Sequence, residues 1–151
     1  MLRIDHIVFP VWDARASLAF YRDILGFPLV NAFSGDDWGG YPWLMMIFAP
    51  GDGREIVLVA LKGAKRPRAD GLARDVRHLA FAEGSLKALG KWRKKLAAAK
   101  VEFWEEDHGS QKSIYFEDPN GVVLEITAPP ARASGKSRKT ALAAAETWMA
   151  A

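Results

Sequence analysis

At 151 residues the chain has the length of one ordinary domain, or of two small modules sharing a core. Half of its residues are apolar and 26% are charged, a globular profile with a modest net charge of +3. With no cysteine, disulfides, thiolate chemistry and cysteine-based zinc sites are all excluded. No apolar run approaches the ~18 residues of a membrane span, and the first residues, "MLRIDHIVFPVWD", do not read as a secretory signal. The expectation is a cytoplasmic protein with no membrane partner. Nine basic residues fall in "AKRPRADGLARDVR" (64–77) and "ARASGKSRK" (131–139), among small residues and proline rather than interleaved aromatics. They read as a solvated linker and tail, so no nucleic-acid partner is expected.

In chain order, residues 2–11 read as a strand with Ile4, His6 and Val8 on one face and Asp5, Ile7 and Phe9 on the other. Asp13 is placed to cap a helix that runs to about Leu25 and ends at Gly26. Strands follow at about 27–33, 43–49 and 55–61. The second half repeats this order, with a strand over 76–82 and a helix capped by Ser85. Three further strands then follow, at 101–106, 112–118 and 122–127. The chain therefore predicts an α+β fold of two βαβββ modules, about 1–61 and 76–128, joined by a linker over 62–75. The two mixed sheets would face each other and enclose a cleft. The domain ends near 128, and 129–151 reads as a basic linker followed by a short Ala-rich helix carrying Leu142, Trp148 and Met149.

Between Asp118-Pro119-Asn120-Gly121, a turn sequence, and the end of the last strand lies the apolar run Val122–Thr127, interrupted by Glu125. An unpaired buried carboxylate costs several kcal/mol, so Glu125 needs a partner. Two of the three histidines, His6 and His78, hold equivalent places in the first strands of the two modules. Parity puts His6 with Ile4 and Val8, and His78 with Ala80 and Ala82, on the faces away from the helices. It turns Val123, Glu125 and Thr127 the same way. Taken singly, each histidine also reads as a hydrogen-bonded core residue, and Glu125 as the ion-pair partner of one of them. Taken together, His6, His78 and Glu125 read as metal ligands. Two imidazoles and a carboxylate with open positions favour Fe(II) or Mn(II), with Zn(II) or Ni(II) as alternatives. The place in the first module that matches Glu125 falls at Val57 or Val59, both apolar, which leaves a three-ligand site. Glu55 is a remote fourth candidate.

Further residues qualify by type and position. Trp38, Tyr41, Trp43 and Met45, between the second and third strands, would line an apolar substrate pocket, or else cover core or a dimer surface. Tyr115 and His108, the latter from a loop, are candidates for hydrogen bonding or proton transfer, although the spacing of His108 fits a surface residue better.

The stretches "HIVFPVWDARASLAFYRDILGF", "RHLAFA" and "SIYFEDPNGVVLEIT" resemble the vicinal oxygen chelate superfamily over residues 1 to about 128. That group holds glyoxalase I, extradiol dioxygenases, methylmalonyl-CoA epimerase, fosfomycin-resistance thiol transferases and bleomycin-binding proteins. The resemblance implies paired βαβββ modules around a divalent metal, with the ligand positions falling on His6, His78 and Glu125. It also implies a homodimer and a small-molecule substrate. Glyoxalase I has a second glutamate, and epimerases a glutamine, where this chain has Val57/Val59, which disfavours both activities. Extradiol dioxygenases carry a tyrosine ten residues before the glutamate ligand, which Tyr115 matches. Their acid/base histidine, upstream of the second ligand, has no counterpart between His6 and His78. An extradiol-dioxygenase-like enzyme acting on an oxygen-chelating substrate is the leading expectation. The alternatives are a lyase or thiol transferase using a redox-inactive metal, and a protein that sequesters a drug or metabolite.

Overall fold

The structure, a computed structural model, describes residues 2–130 and 137–150. The first module runs β1 (His6–Val11), α1 (Ala14–Ala19), a π-helical turn (Phe20–Ile24), β2 (Leu29–Trp38), β3 (Tyr41–Phe48) and β4 (Glu55–Leu61). The second runs β5 (His78–Ala82), α2 (Leu86–Ala98), β6 (Phe103–Asp107), β7 (Lys112–Glu117) and β8 (Val123–Ala128), and α3 (Ser137–Met149) follows. Each module forms a four-stranded mixed sheet, in the orders β1-β4-β3-β2 and β5-β8-β7-β6. In each sheet the module's first strand pairs parallel with its last, and the other pairs are antiparallel. The basic stretch 131–136 lies outside the described residues.

The caps form where the sequence places them. The Asp13 carboxylate accepts from the Ala16 N–H at 2.9 Å, and the Ser85 hydroxyl accepts from Ala88 N–H at 3.2 Å, each satisfying a donor the first turn leaves orphaned. The first helix differs from a plain α-helix over 13–25. Its second half is wound so that Leu25 N–H reaches back to Phe20 C=O at 2.9 Å. The wider turn brings Phe20 and Tyr21, consecutive in sequence, both into the core.

Strand parity then sorts the side chains. Ile7 and Phe9 of β1, Ile56 and Leu58 of β4, Leu79 and Phe81 of β5, Ile114 and Phe116 of β7, and Leu124 and Ile126 of β8 all join one hydrophobic cluster. The helices fill it from within: Phe20 lies 6.3 Å from Phe116 of the second sheet, and Tyr21 lies 5.6 Å from Phe48 of the first. Both sheets therefore spend one face on a shared core.

A buried polar network ties the modules at the turn after β7. Asp118 accepts from Tyr21 O–H at 3.1 Å, and Asn120 Nδ2 donates to Ser17 Oγ at 2.9 Å. Trp12 N–H donates to Asn120 Oδ1 at 2.9 Å. The stretch read from sequence as a turn is thus also an inter-module joint, with Asp118 and Asn120 both buried.

The opposite faces of the sheets turn away from that core, exposed at His6, Val8, Phe33, Tyr41, His78 and Ala80 and buried at Val57, Val59, Ser113, Tyr115, Val123 and Glu125. On the first lie His6, Val8, Phe33, Tyr41, Trp43, Met45, Val57 and Val59; on the second lie His78, Ala80, Ser113, Tyr115, Val123, Glu125 and Thr127. The chain exposes 10904 Å², where a compact chain of 16.7 kDa would expose about 7,600 Å².

Candidate metal and substrate site

The site on the second sheet is built from two neighbouring strand pairs. Register sets Ala80 opposite Glu125 and His78 opposite Val123 across β5 and β8. Across β7 and β8 it sets Tyr115 opposite Glu125 and Ser113 opposite Thr127. Glu125, 7% exposed, therefore has His78 on one side and the β7 polar pair on the other. Its Oε2 lies 2.9 Å from His78 Nε2, and its Oε1 accepts from the Ser113 hydroxyl at 2.5 Å. Ser113 is a site residue that the sequence reading missed. Its position two residues before Tyr115, on the same strand face, is the signal that could have found it.

The proton positions follow from the acceptors. His78 Nδ1 lies 2.7 Å from the backbone carbonyl of Asp75, which can only accept, so Nδ1 carries the hydrogen. His6 Nδ1 lies 2.7 Å from Asp5 Oδ1, and the same assignment holds there. Both imidazoles therefore present Nε2 as the free nitrogen, the arrangement in which histidine ligates a metal. At His78 this nitrogen faces a carboxylate oxygen, so a proton or a cation belongs between the two. Two ligands of one ion, each ~2.1 Å from it and ~90° apart, stand about 3 Å from each other, and the 2.9 Å separation matches that.

Beside this pair, Tyr115 stacks on Trp104 with ring centres 5.3 Å apart and meets the His78 ring edge-on at 5.6 Å. Burial, followed by the neighbouring Glu125 carboxylate, pushes the Tyr115 phenol up to about 12, so its O–H stays a donor near neutrality. His108, on the loop after β6, is half exposed, yet its Nε2 lies 3.2 Å from the Tyr115 hydroxyl. The ring thus reaches the site from a loop, even though it is half exposed.

His6 does not join this group. Among the described residues no three His, Asp or Glu side chains stand together to hold a metal ion, so convergence of His6, His78 and Glu125 within one chain is not what the fold produces. His6 lies on the open face of the other sheet, opposite Glu55 in register. The register also settles the repeat: His78 precedes by two the residue opposite Glu125, and His6 precedes by two the residue opposite Val57. Val57, rather than Val59, is the equivalent of Glu125.

Trp38, Tyr41, Trp43 and Met45 gather at the outer part of the first sheet's open face. The segment Gly35–Trp38, which the sequence assigns to a connecting loop, is strand, paired with Tyr41–Trp43 through an irregular register. Trp43 lies over Gly35 and meets Trp38 edge-on at 5.6 Å. A Cβ at Gly35 would come within 2.6 Å of Trp43 Nε1. Gly35→Ala should therefore displace Trp43 and cost about 1–3 kcal/mol. Circular dichroism should show the Trp38–Trp43 exciton signal lost with it.

No helix among the described residues is long and apolar enough to cross a membrane. No curated protein matches the chain. Among solved structures, the lactoylglutathione lyase of Agrobacterium tumefaciens is similar at 19% identity and a TM-score of 0.61, over 83% of this chain and 92% of that one. The trypanothione-dependent glyoxalase I of Leishmania major is similar at 17% identity and a TM-score of 0.63, over 100% of both chains. A putative dioxygenase of Bacillus subtilis reaches 23% identity and a TM-score of 0.63, over 82% of this chain and 39% of that one. At these identities the likeness is one of fold. The sequence of residues 3–126 matches the Glyoxalase/Bleomycin resistance protein/Dioxygenase superfamily, and the paired four-stranded sheets agree with it, so the chain belongs to that superfamily.

Proposed function

We propose that this chain is a metal-dependent enzyme acting on a small oxygen-chelating substrate, and that two copies complete its centre. His78 and Glu125 of one chain would be joined by the partner subunit's His6. The observation that carries this reading is the pair of Nε2 atoms freed by Nδ1–H bonds, one of them set 2.9 Å from Glu125 Oε2. Two imidazoles and one carboxylate suit Fe(II) or Mn(II), with Zn(II) or Ni(II) as alternatives. Bound there, such an ion would act as a Lewis acid on a chelated oxygen, and iron would add O₂ chemistry.

The chain's own residues supply the rest. Ser113 holds Glu125 Oε1 and leaves Oε2 toward His78. Tyr115, kept neutral, is placed to donate to a substrate oxygen, and His108 links its hydroxyl to the protein surface. Trp38, Tyr41, Trp43 and Met45 would wall the site with apolar surface, favouring a substrate with an aromatic or otherwise apolar body. The two open faces and the 10904 Å² of exposed surface support the homodimer.

Extradiol-dioxygenase-like turnover is the leading reading. A lyase is the second, because the fold neighbours include proteins named lactoylglutathione lyase and glyoxalase I. Against it, Val57 stands where a second glutamate would complete a four-ligand site. The test is metal content, sedimentation and oxygen uptake with a panel of catechols. One equivalent of iron or manganese per chain is expected, in a dimer, with metal lost equally in His6→Ala and His78→Ala. Zinc or nickel without oxygen uptake would move the assignment to lyase or thiol-transferase chemistry. No metal after reconstitution with any of the four would leave a sequestering protein.

A further inference from the structure

The last helix, α3, has no place in the repeat. Its apolar residues Leu142, Trp148 and Met149 are 60%, 81% and 68% exposed. Leu142, Ala145 and Met149 fall on one face, with Trp148 flanking it. A solitary helix of 13 residues is marginal in water and draws most of its stability from a packed face. Something should therefore cover this one.

The hairpin joining β2 and β3 offers the complementary surface. Trp38, Tyr41 and Phe33 are large, exposed and on one face, and Asp36 and Asp37 stand beside them. Asp37 accepts from Gly40 N–H at 2.7 Å, and neither aspartate is paired with a cation among the described residues. In the sequence, Arg132 and Lys136 precede α3, and Arg138 and Lys139 fall in its first turn. In sequence, the acid beside aromatics of the hairpin is complementary to the base beside aliphatics and tryptophan of the tail.

Connectivity bounds the reach of the tail. The chain leaves β8 three residues after Glu125, so the tail starts about 10 Å along the strand from that carboxylate. The eight residues 129–136 can span at most about 28 Å. In the assembly proposed above, the open face of β8 looks onto the partner's first sheet, and the partner's hairpin borders the shared centre. We propose that α3 docks on the Trp38–Tyr41 hairpin of the second copy and covers the mouth of the site. This rests on the two-chain centre, whose own test is separate.

Because the chain has no cysteine, cross-linking can read the contact directly. Full-length copies carrying Asp37→Cys are mixed with full-length copies carrying Ala145→Cys and treated with a short bis-maleimide. A band of twice the chain mass is expected, severalfold stronger than with either copy alone. It should fall severalfold when Leu142→Ala and Trp148→Ala are added to the Ala145→Cys copy. A band unmoved by those replacements would mean that the tether alone brings the ends together, and would overturn the docking. Linkage confined to single chains in a double variant, or no linkage in a protein that sediments as a metal-loaded dimer, would overturn it while sparing the shared centre. A metal-free monomer would remove both.

Discussion

Glu125→Gln is expected to leave the fold standing while metal affinity falls at least about 100-fold, since even outer-sphere partners of a metal ligand are worth 10–100-fold. The amide can keep both existing contacts: its oxygen accepts from Ser113, and its nitrogen donates to the free Nε2 of His78. What disappears is the negative charge, which the ion needs and the apo fold does not. Without metal the variant should melt at or above the wild-type temperature. Adding metal at a hundred times the wild-type dissociation constant should stabilise the wild type by about 2.7 kcal/mol and the variant by no more than about 0.4 kcal/mol. Equal responses in a thermal titration would show that Glu125 is only the ion-pair partner of His78.

Asp118→Ala should be the most damaging single replacement outside the hydrophobic core. The buried carboxylate accepts from Tyr21 O–H, from the backbone N–H groups of Asn120 and Val122 at 2.8 and 2.9 Å, and from Asn120 Nδ2 at 3.1 Å. Alanine strands several buried donors at once, each costing about 1–3 kcal/mol. A net loss of about 3–5 kcal/mol is expected, a large share of the ~5–15 kcal/mol that holds a domain together. Tyr21→Phe, which removes one donor and leaves Asp118 its other three, should cost only about 1–2 kcal/mol. Urea melts that ranked the two the other way would mean that the joint is held by Tyr21 packing on Phe20 and Phe48 rather than by its polar contacts.

Parity along the strands made most of the fold legible. The alternation of Ile7 and Phe9 with His6 and Val8, and of Leu124 and Ile126 with Glu125, assigned core and open faces as they are found. Strand limits were less legible where propensity and pairing disagree. Gly35, Asp36 and Asp37 are poor strand formers, yet β2 continues through them because β3 offers a partner. Two features of the site had no local signature. The Asp118-Pro119-Asn120-Gly121 sequence satisfies turn chemistry by itself, so nothing in it announces that its side chains reach Ser17 and Tyr21 about a hundred positions away. Parity likewise gives the face on which His6 lies but not which sheet that face meets, because the fold spends the other faces of both sheets on one core.

The register that makes Val57 the counterpart of Glu125 has a meaning in the genetic code. Valine and glutamate codons ending in a purine differ by one base, so a Val57 codon of that kind is a single nucleotide substitution from encoding a second glutamate at the matching place. The duplicated architecture thus keeps two ligand chemistries within mutational reach of one another. Descendants could cross between them without rebuilding a strand.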